Sequence, residues 1–119
     1  MSGAHWRPKK IIAVKFYRAS NRKEPVRVWL KSLTGEQKKI IGEDIKTVEF
    51  GWPIGMPLVR YMEAKLWEIR SNFSDGIARI FFTVYEQQLI LLHGFIKKTQ
   101  KTPEKELEIA RRRLKDMEV

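Results

Sequence analysis

Along this chain the spacing of apolar residues changes several times, and each change marks an element. From Lys10 to Tyr17 (KIIAVKFY) the period is two: Ile12, Val14 and Phe16 fall on one face, Ala13 and Lys15 on the other, which predicts a strand. The polar stretch Ala19 to Lys23 predicts a turn. Glu24-Pro25 then opens a short helix, with proline in the first turn, where its missing N–H does no harm. Val26, Trp29, Leu30 and Leu33 recur at helical spacing. Thr34 and Gln37 have the spacing of a capping box, so a second helix follows almost without a linker. Its inward face is Ile41, Ile45 and Val48, supported by Ile40, and the two helices are expected to form a hairpin.

Gly51 to Pro57 (GWPIGMP) holds two glycines and two prolines and reads as a loop. Beyond it the period of two returns. Lys65 to Ser71 predicts a strand, Asn72 to Gly76 a turn, and Ile77 to Glu86 a long strand. Glu86-Gln87-Gln88 is a short turn before a last strand, Leu89 to Lys97, whose first half is almost continuously apolar, as in a strand covered on both faces. Connections this short imply an antiparallel meander. Thr102-Pro103-Glu104 starts a final helix, with Thr102 as N-cap and Pro103 at the first helical position, and Leu107, Ala110, Leu114 and Met117 form its apolar stripe. The pattern predicts an α+β fold in the order βααβββα: a small antiparallel sheet with an N-terminal helical hairpin and a C-terminal helix, in one domain over 1–119.

The 119 residues, 43% hydrophobic, suffice for one modest core. No apolar run approaches the ~18 residues of a membrane span, and the opening MSGAHWRPKK lacks the apolar centre of a signal peptide. A cytoplasmic protein with no membrane association is expected. Cysteine is absent, which rules out disulfides, a thiol nucleophile and cysteine-built metal sites. With His5 and His93 as the only histidines, neither a metal nor a cofactor is expected.

Charge changes the picture most. Lys and Arg number 24 against 14 Asp and Glu, giving +10 at pH 7. From Lys97 to Lys115 there are eight basic and three acidic residues. Such a patch points to polyanionic partners, nucleic acid above all, although an acidic protein would fit the same charge. In the meander, Ala78, Ile80, Phe82 and Val84 share one face, and Arg79 lies on the other with Ile77, Phe81, Thr83 and Tyr85. Glu68 and Arg70 alternate with Trp67 and Ile69. One reading pairs Arg70 with Glu68 in a local charge network. The other makes Arg70 and Arg79 a cationic face whose planar guanidinium forks suit phosphates. His93 has the parity of Leu91, Phe95 and Lys97, and reads either as a hydrogen-bonded core residue or as a base. Tyr85 and Phe95 are packing residues or platforms on which bases stack.

The segments LWEIRS, GIARIFFTVY and ILLHGFIKKTQKTPEKELEIARRR resemble the RelE/HigB-like toxin superfamily, specifically its phage-derived HigB-like branch. The resemblance spans roughly Lys9 to Lys115. Its most specific part is the apolar strand ending in HGF, the paired lysines, K-x-P, and a helix with a small residue, Ala110, before a basic run. The resemblance implies a RelE-like fold and a toxin of a type II toxin–antitoxin pair, a ribonuclease that cleaves mRNA on the ribosome, inhibits translation, and is neutralised by a cognate antitoxin, often of helix-turn-helix type. Carried over by motif, it assigns Arg70, Arg79, Lys97 and Lys98 to the catalytic site; His93, read from its place in the apolar strand, is an outside candidate for base. Lys65 sits near a family position that often holds a basic residue; with it, Tyr85 and Phe95 as stacking platforms and Lys101, Arg111, Arg112 and Arg113 of the basic run are the candidate RNA-binding residues. The chain departs from better-studied members in having no tyrosine or histidine after Pro103, so the resemblance names no general acid or base. A non-catalytic RNA- or ribosome-binding protein on the same fold, and a protein whose basic face docks an acidic partner, are the alternatives.

Overall fold

The computed structural model describes residues 12–98 and 101–117. The expected start of the first strand at Lys10 therefore lies outside the described residues, as do His5, Thr99 and Gln100. The elements are β1 (Ala13–Phe16), α1 (Pro25–Lys31), α2 (Gly35–Gly51), β2 (Val59–Glu63), β3 (Leu66–Phe73), β4 (Gly76–Tyr85), β5 (Gln88–Lys97) and α3 (Glu104–Met117). They build an α+β fold around one five-stranded sheet of order β1-β5-β4-β3-β2, consistent with a RelE-like fold. Strands β2 to β5 form an antiparallel meander, and β1 joins its edge in parallel with β5.

Helix α1 starts at Pro25, with Glu24 in an extended conformation before it. Three residues later the expected capping box opens α2: Thr34 Oγ1 accepts from the Gln37 backbone N–H, and Gln37 Oε1 accepts from the Thr34 N–H, both at 3.1 Å. Val26, Ile41 and Val48 bring both helices onto the face formed by Ile69, Ala78, Ile80, Phe82, Leu89 and Leu91. Fully burying one such aliphatic side chain stabilises by about 1.5–3 kcal/mol, so this layer provides much of the folding free energy. Helix α1 approaches so closely that Gly94 has no space for a side chain. A Cβ there would lie 2.4 Å from the Trp29 ring.

The expected order gains one strand, β2, between the Gly51–Pro57 loop and β3. Its sequence VRYME is short, lies at the sheet edge and is half exposed, which weakens the alternation that marks a strand. It returns into β3 through Ala64-Lys65, with Lys65 at φ 66. The meander turns are tighter than expected. Ser74-Asp75 alone connects β3 to β4, and Glu86-Gln87 alone connects β4 to β5, with φ 49 and 63.

The opposite face is not an open surface. Helix α3 covers much of it, and Leu107 and Ala110 join Tyr17, Leu66, Phe81, Ile90 and Leu92 in a second cluster. A bulge in β5 corrects the parity assigned to His93. Phe81 pairs with His93 but Phe82 with Leu91, so Leu92 is an extra residue. Leu91 therefore points into the first cluster, while Leu92 enters the second and His93 stacks on its Phe81 and Phe95. The N-cap expectation also changes: α3 begins at Glu104, the Pro103 carbonyl accepts from Glu106 and Leu107 N–H, and the Thr102 hydroxyl donates to Glu68.

Candidate nucleic-acid interface

The face shared with α3 is built from rows that cross β3, β4 and β5. One row is Glu68, Phe81 and His93, and the next is Arg70, Arg79 and Phe95. Beyond it come Asn72, Ile77 and Lys97, then Lys98 after the strand. The meander thus brings Arg70, Arg79, Phe95, Lys97 and Lys98 to one end of the sheet. Lys101 is exposed next to Thr102, which reaches the Glu68 row.

These cations differ in access. Lys97 and Lys98 are exposed, and the Arg70 side chain is 16% exposed. Arg79 is fully buried, which corrects its placement on a solvent-facing surface: α3 and the approach to it close over this part of the sheet. Its Nη1 donates to Glu68 Oε1 at 3.1 Å, and Arg70 Nε lies 4.0 Å from the same oxygen. The Glu68–Arg70 network therefore exists, but its stronger partner comes from the neighbouring strand. Burial draws the Arg79 pKa below its ordinary value, opposed by the Glu68 carboxylate. Burying charge in this way is tolerated only where partners remain close.

His93 is held by α3. Its Nε2 is 2.6 Å from Glu106 Oε1, and its Nδ1 is 3.4 Å from Arg113 Nη1. An imidazole that donates from Nε2 and accepts at Nδ1 satisfies both contacts while neutral. Burial lowers its pKa, and the Glu106 carboxylate works against that shift. Both ring nitrogens are thus directed at α3.

The remaining expected contacts are spread out. Tyr85 and Lys65 lie toward the opposite ends of β4 and β3 from the arginine row. Tyr85 is six residues from Arg79, roughly 20 Å along an extended strand. Arg111 is encircled by carboxylates: it meets Glu63 on β2 at 2.8 Å, Glu104 at 2.7 Å, and also Glu108. Its pKa is raised by these bonds, Glu63 first. Arg113 turns inward, donating to the Leu92 carbonyl at 2.8 Å and lying over the Tyr17 ring. Arg112 is exposed, on the wall of a cleft of about 710 Å³ that also includes Tyr17, Pro25, Ile109 and Lys115. Among the described residues no three His, Asp or Glu side chains gather as a metal site requires, and no helix is long and apolar enough to cross a membrane.

Glu68, Thr102 and Glu106 are the members of this site that the residue pattern left out of its candidate set. Thr102 and Glu106 read locally as first-turn residues of a helix, and only the docking of α3 turns them toward the sheet. The only signal in the sequence was the carboxylate of Glu68 sharing a strand face with Arg70.

A family model described as Phage derived protein Gp49-like (DUF891) matches residues 28–115, well over half of the chain. The chain belongs to this family. Gp49-like proteins are a RelE/ParE-type toxin-like family of toxin–antitoxin systems, and membership implies an antitoxin partner in general terms. The match takes in every strand of the meander, the two arginines that meet Glu68 and most of α3. No curated protein matches the chain.

Proposed function

We propose that this Gp49-like chain is the toxin of a type II toxin–antitoxin pair of the phage-derived HigB-like branch. In this reading it is a metal-independent endoribonuclease that acts in the cytoplasm, cleaves mRNA on the ribosome, and is silenced by a cognate antitoxin, helix-turn-helix in type. The observation that carries it is the row of Arg70, Arg79 and Phe95 with Lys97 and Lys98 beside it, in a member of a toxin-like family.

RNA supplies its own nucleophile. The 2′-hydroxyl attacks the adjacent phosphorus, the bond from phosphorus to the 5′-oxygen breaks, and a 2′,3′-cyclic phosphate remains. One proton leaves the 2′-oxygen and another reaches the 5′-oxygen. The protein must align these atoms, which can supply ~7–11 kcal/mol, and stabilise the charge that develops. Arg70, partly exposed, binds the phosphate, and Arg79 supports it from the buried side through their shared Glu68. Lys97 and Lys98 stabilise the phosphorane and assist proton transfer, and Phe95 offers a stacking surface worth ~1–3 kcal/mol per base. His93, with both nitrogens on α3, seats that helix and does not serve as the base.

Single-turnover cleavage of ribosome-bound message at saturating protein tests the reading. Arg70→Ala is expected to lower the rate by ~10²–10³, the usual cost of losing one donor to transition-state charge, with little change in melting temperature. A wild-type rate would overturn this placement of the site. The commitment of Arg79 and His93 to carboxylates also favours a second reading, a non-catalytic RNA- or ribosome-binding protein. Salt-dependent binding without any cleavage would establish that one.

A further inference from the structure

Glu68 is a fully buried carboxylate to which the reaction above gives no direct task. Its two oxygens are divided. Oε1 accepts from Arg79 at 3.1 Å and lies 4.0 Å from Arg70, while Oε2 accepts from the Thr102 hydroxyl at 3.0 Å. Stability alone is a weak reason for such an arrangement, because well-packed apolar residues often replace a buried ion pair at no cost. Orientation is a better one. The last torsion of a glutamate is broad and roughly two-fold, so a carboxylate held only at Oε1 could rotate and carry its guanidinium partners with it. The Thr102 bond fixes the plane of the carboxylate.

Thr102 also has a particular place in the chain. It lies between the exposed Lys97-Lys98 pair and the first turn of α3, 34 residues from Glu68. The bond therefore ties the start of α3 to the strands carrying the arginines. In the proposed reaction the arginines of that row and the Lys97-Lys98 pair must meet the same phosphate.

We infer that Glu68 and Thr102 are positioning residues: Thr102 locks the Glu68 carboxylate, and Glu68 sets the Arg70 and Arg79 guanidiniums in the geometry that binds the scissile phosphate. The inference rests on those arginines acting as the phosphate clamp. A displacement of about 1 Å at such a clamp costs on the order of 10²-fold in rate, and a carboxylate freed at one oxygen should displace it by less.

The experiment compares wild type, Thr102→Val, Thr102→Ser and Arg70→Ala in single-turnover cleavage of ribosome-bound message, titrated with protein to separate rate at saturation from half-saturating concentration. Thr102→Val keeps the shape and removes the hydroxyl. It is expected to lower the saturating rate roughly tenfold, within the range just cited, with an unchanged half-saturation point, and Thr102→Ser is expected to restore the rate. The side-chain Nε–H resonance of Arg79 in NMR should shift in Thr102→Val and return in Thr102→Ser, a readout that does not depend on cleavage. A wild-type rate and an unmoved Arg79 resonance in Thr102→Val would overturn the inference, as would a Thr102→Ser variant as slow as Thr102→Val. If Arg70→Ala is inactive in the same assay, that failure belongs to the Glu68–Thr102 link alone. If Arg70→Ala cleaves like wild type, or wild type does not cleave, the clamp itself is overturned and the inference with it.

Discussion

Gly94 shows how one residue can set the distance between two layers. It faces α1 between β5 neighbours that carry side chains, and the Trp29 ring occupies the volume where a Cβ would stand. Gly94→Ala is expected to destabilise the fold by ~1–3 kcal/mol, the usual range for overpacking a filled core, read as a lower melting temperature. A second prediction at this scale separates two neighbouring arginines. Arg111 is bound to Glu63, Glu104 and Glu108, whereas Arg112 is exposed on the cleft wall. Arg112→Ala should weaken RNA or ribosome association modestly and reduce its salt dependence by about one phosphate contact. Arg111→Ala should leave that salt slope nearly unchanged and loosen α3 from β2 instead, seen as faster amide exchange in the helix. The run RRR makes these residues look equivalent, and only their directions around the helix and the position of Glu63 distinguish them.

At the scale of elements, the β4–β5 turn and the docking of α3 carry predictions of different kinds. Glu86 and Gln87 both have positive φ, as a two-residue hairpin turn of type I′ requires, yet neither is a residue that favours it. Replacing the pair with Asn-Gly should raise stability by about 1 kcal/mol, since each ordinary residue in the left-handed region costs ~1–2 kcal/mol. A denaturant midpoint that stays put or falls would contradict this. Helix α3 is held over the sheet by Leu107 and Ala110 and by polar contacts that include His93 with Glu106. The His93 pKa is lowered in the folded protein, chiefly by burial, so the unfolded chain binds the proton more readily. The stabilisation is therefore complete above the unfolded value of ~6.5 and is lost as the pH falls from there through the folded value. The melting temperature should drop between pH 7.5 and 5.5, and His93→Gln should remove that part of the slope. Glu24 and Glu63, whose pKa values are lowered mainly by hydrogen bonds from Arg27 and Arg111, contribute to acid sensitivity at lower pH.

For the molecule as a whole, the sheet has two covered faces and one end where cations collect. Helices α1 and α2 fill one face and α3 covers much of the other, which leaves Lys97, Lys98 and part of Arg70 at the margin. A protein of +10 net charge with such a margin is suited to a polyanionic partner. Expression without its antitoxin is expected to arrest growth and translation, and co-expression of the antitoxin to relieve the arrest. Unimpaired growth at high, soluble, full-length expression would count against an active toxin.

Much of this was legible in the order of residues, because it depends on local rules. Helical spacing placed α1, α2 and α3, the Thr34–Gln37 capping box marked a helix start, alternation marked β3 and β4, and a nearly continuous apolar run marked β5. Strand β2 escaped because an edge strand with one half-exposed face carries little alternation. The chemistry of the site was legible only as a set of residue types. Whether Arg79 meets water or Glu68, and whether Thr102 caps its own helix or bonds a strand 34 residues away, depends on how α3 lies on the sheet. That is set by long-range packing of Leu107 and Ala110 on Phe81 and Leu92, and by a one-residue bulge that turns His93 toward the helix. Periodicity reports which residues share a face of one element. Which element covers that face, and which charges it buries together, is decided only when the whole chain packs.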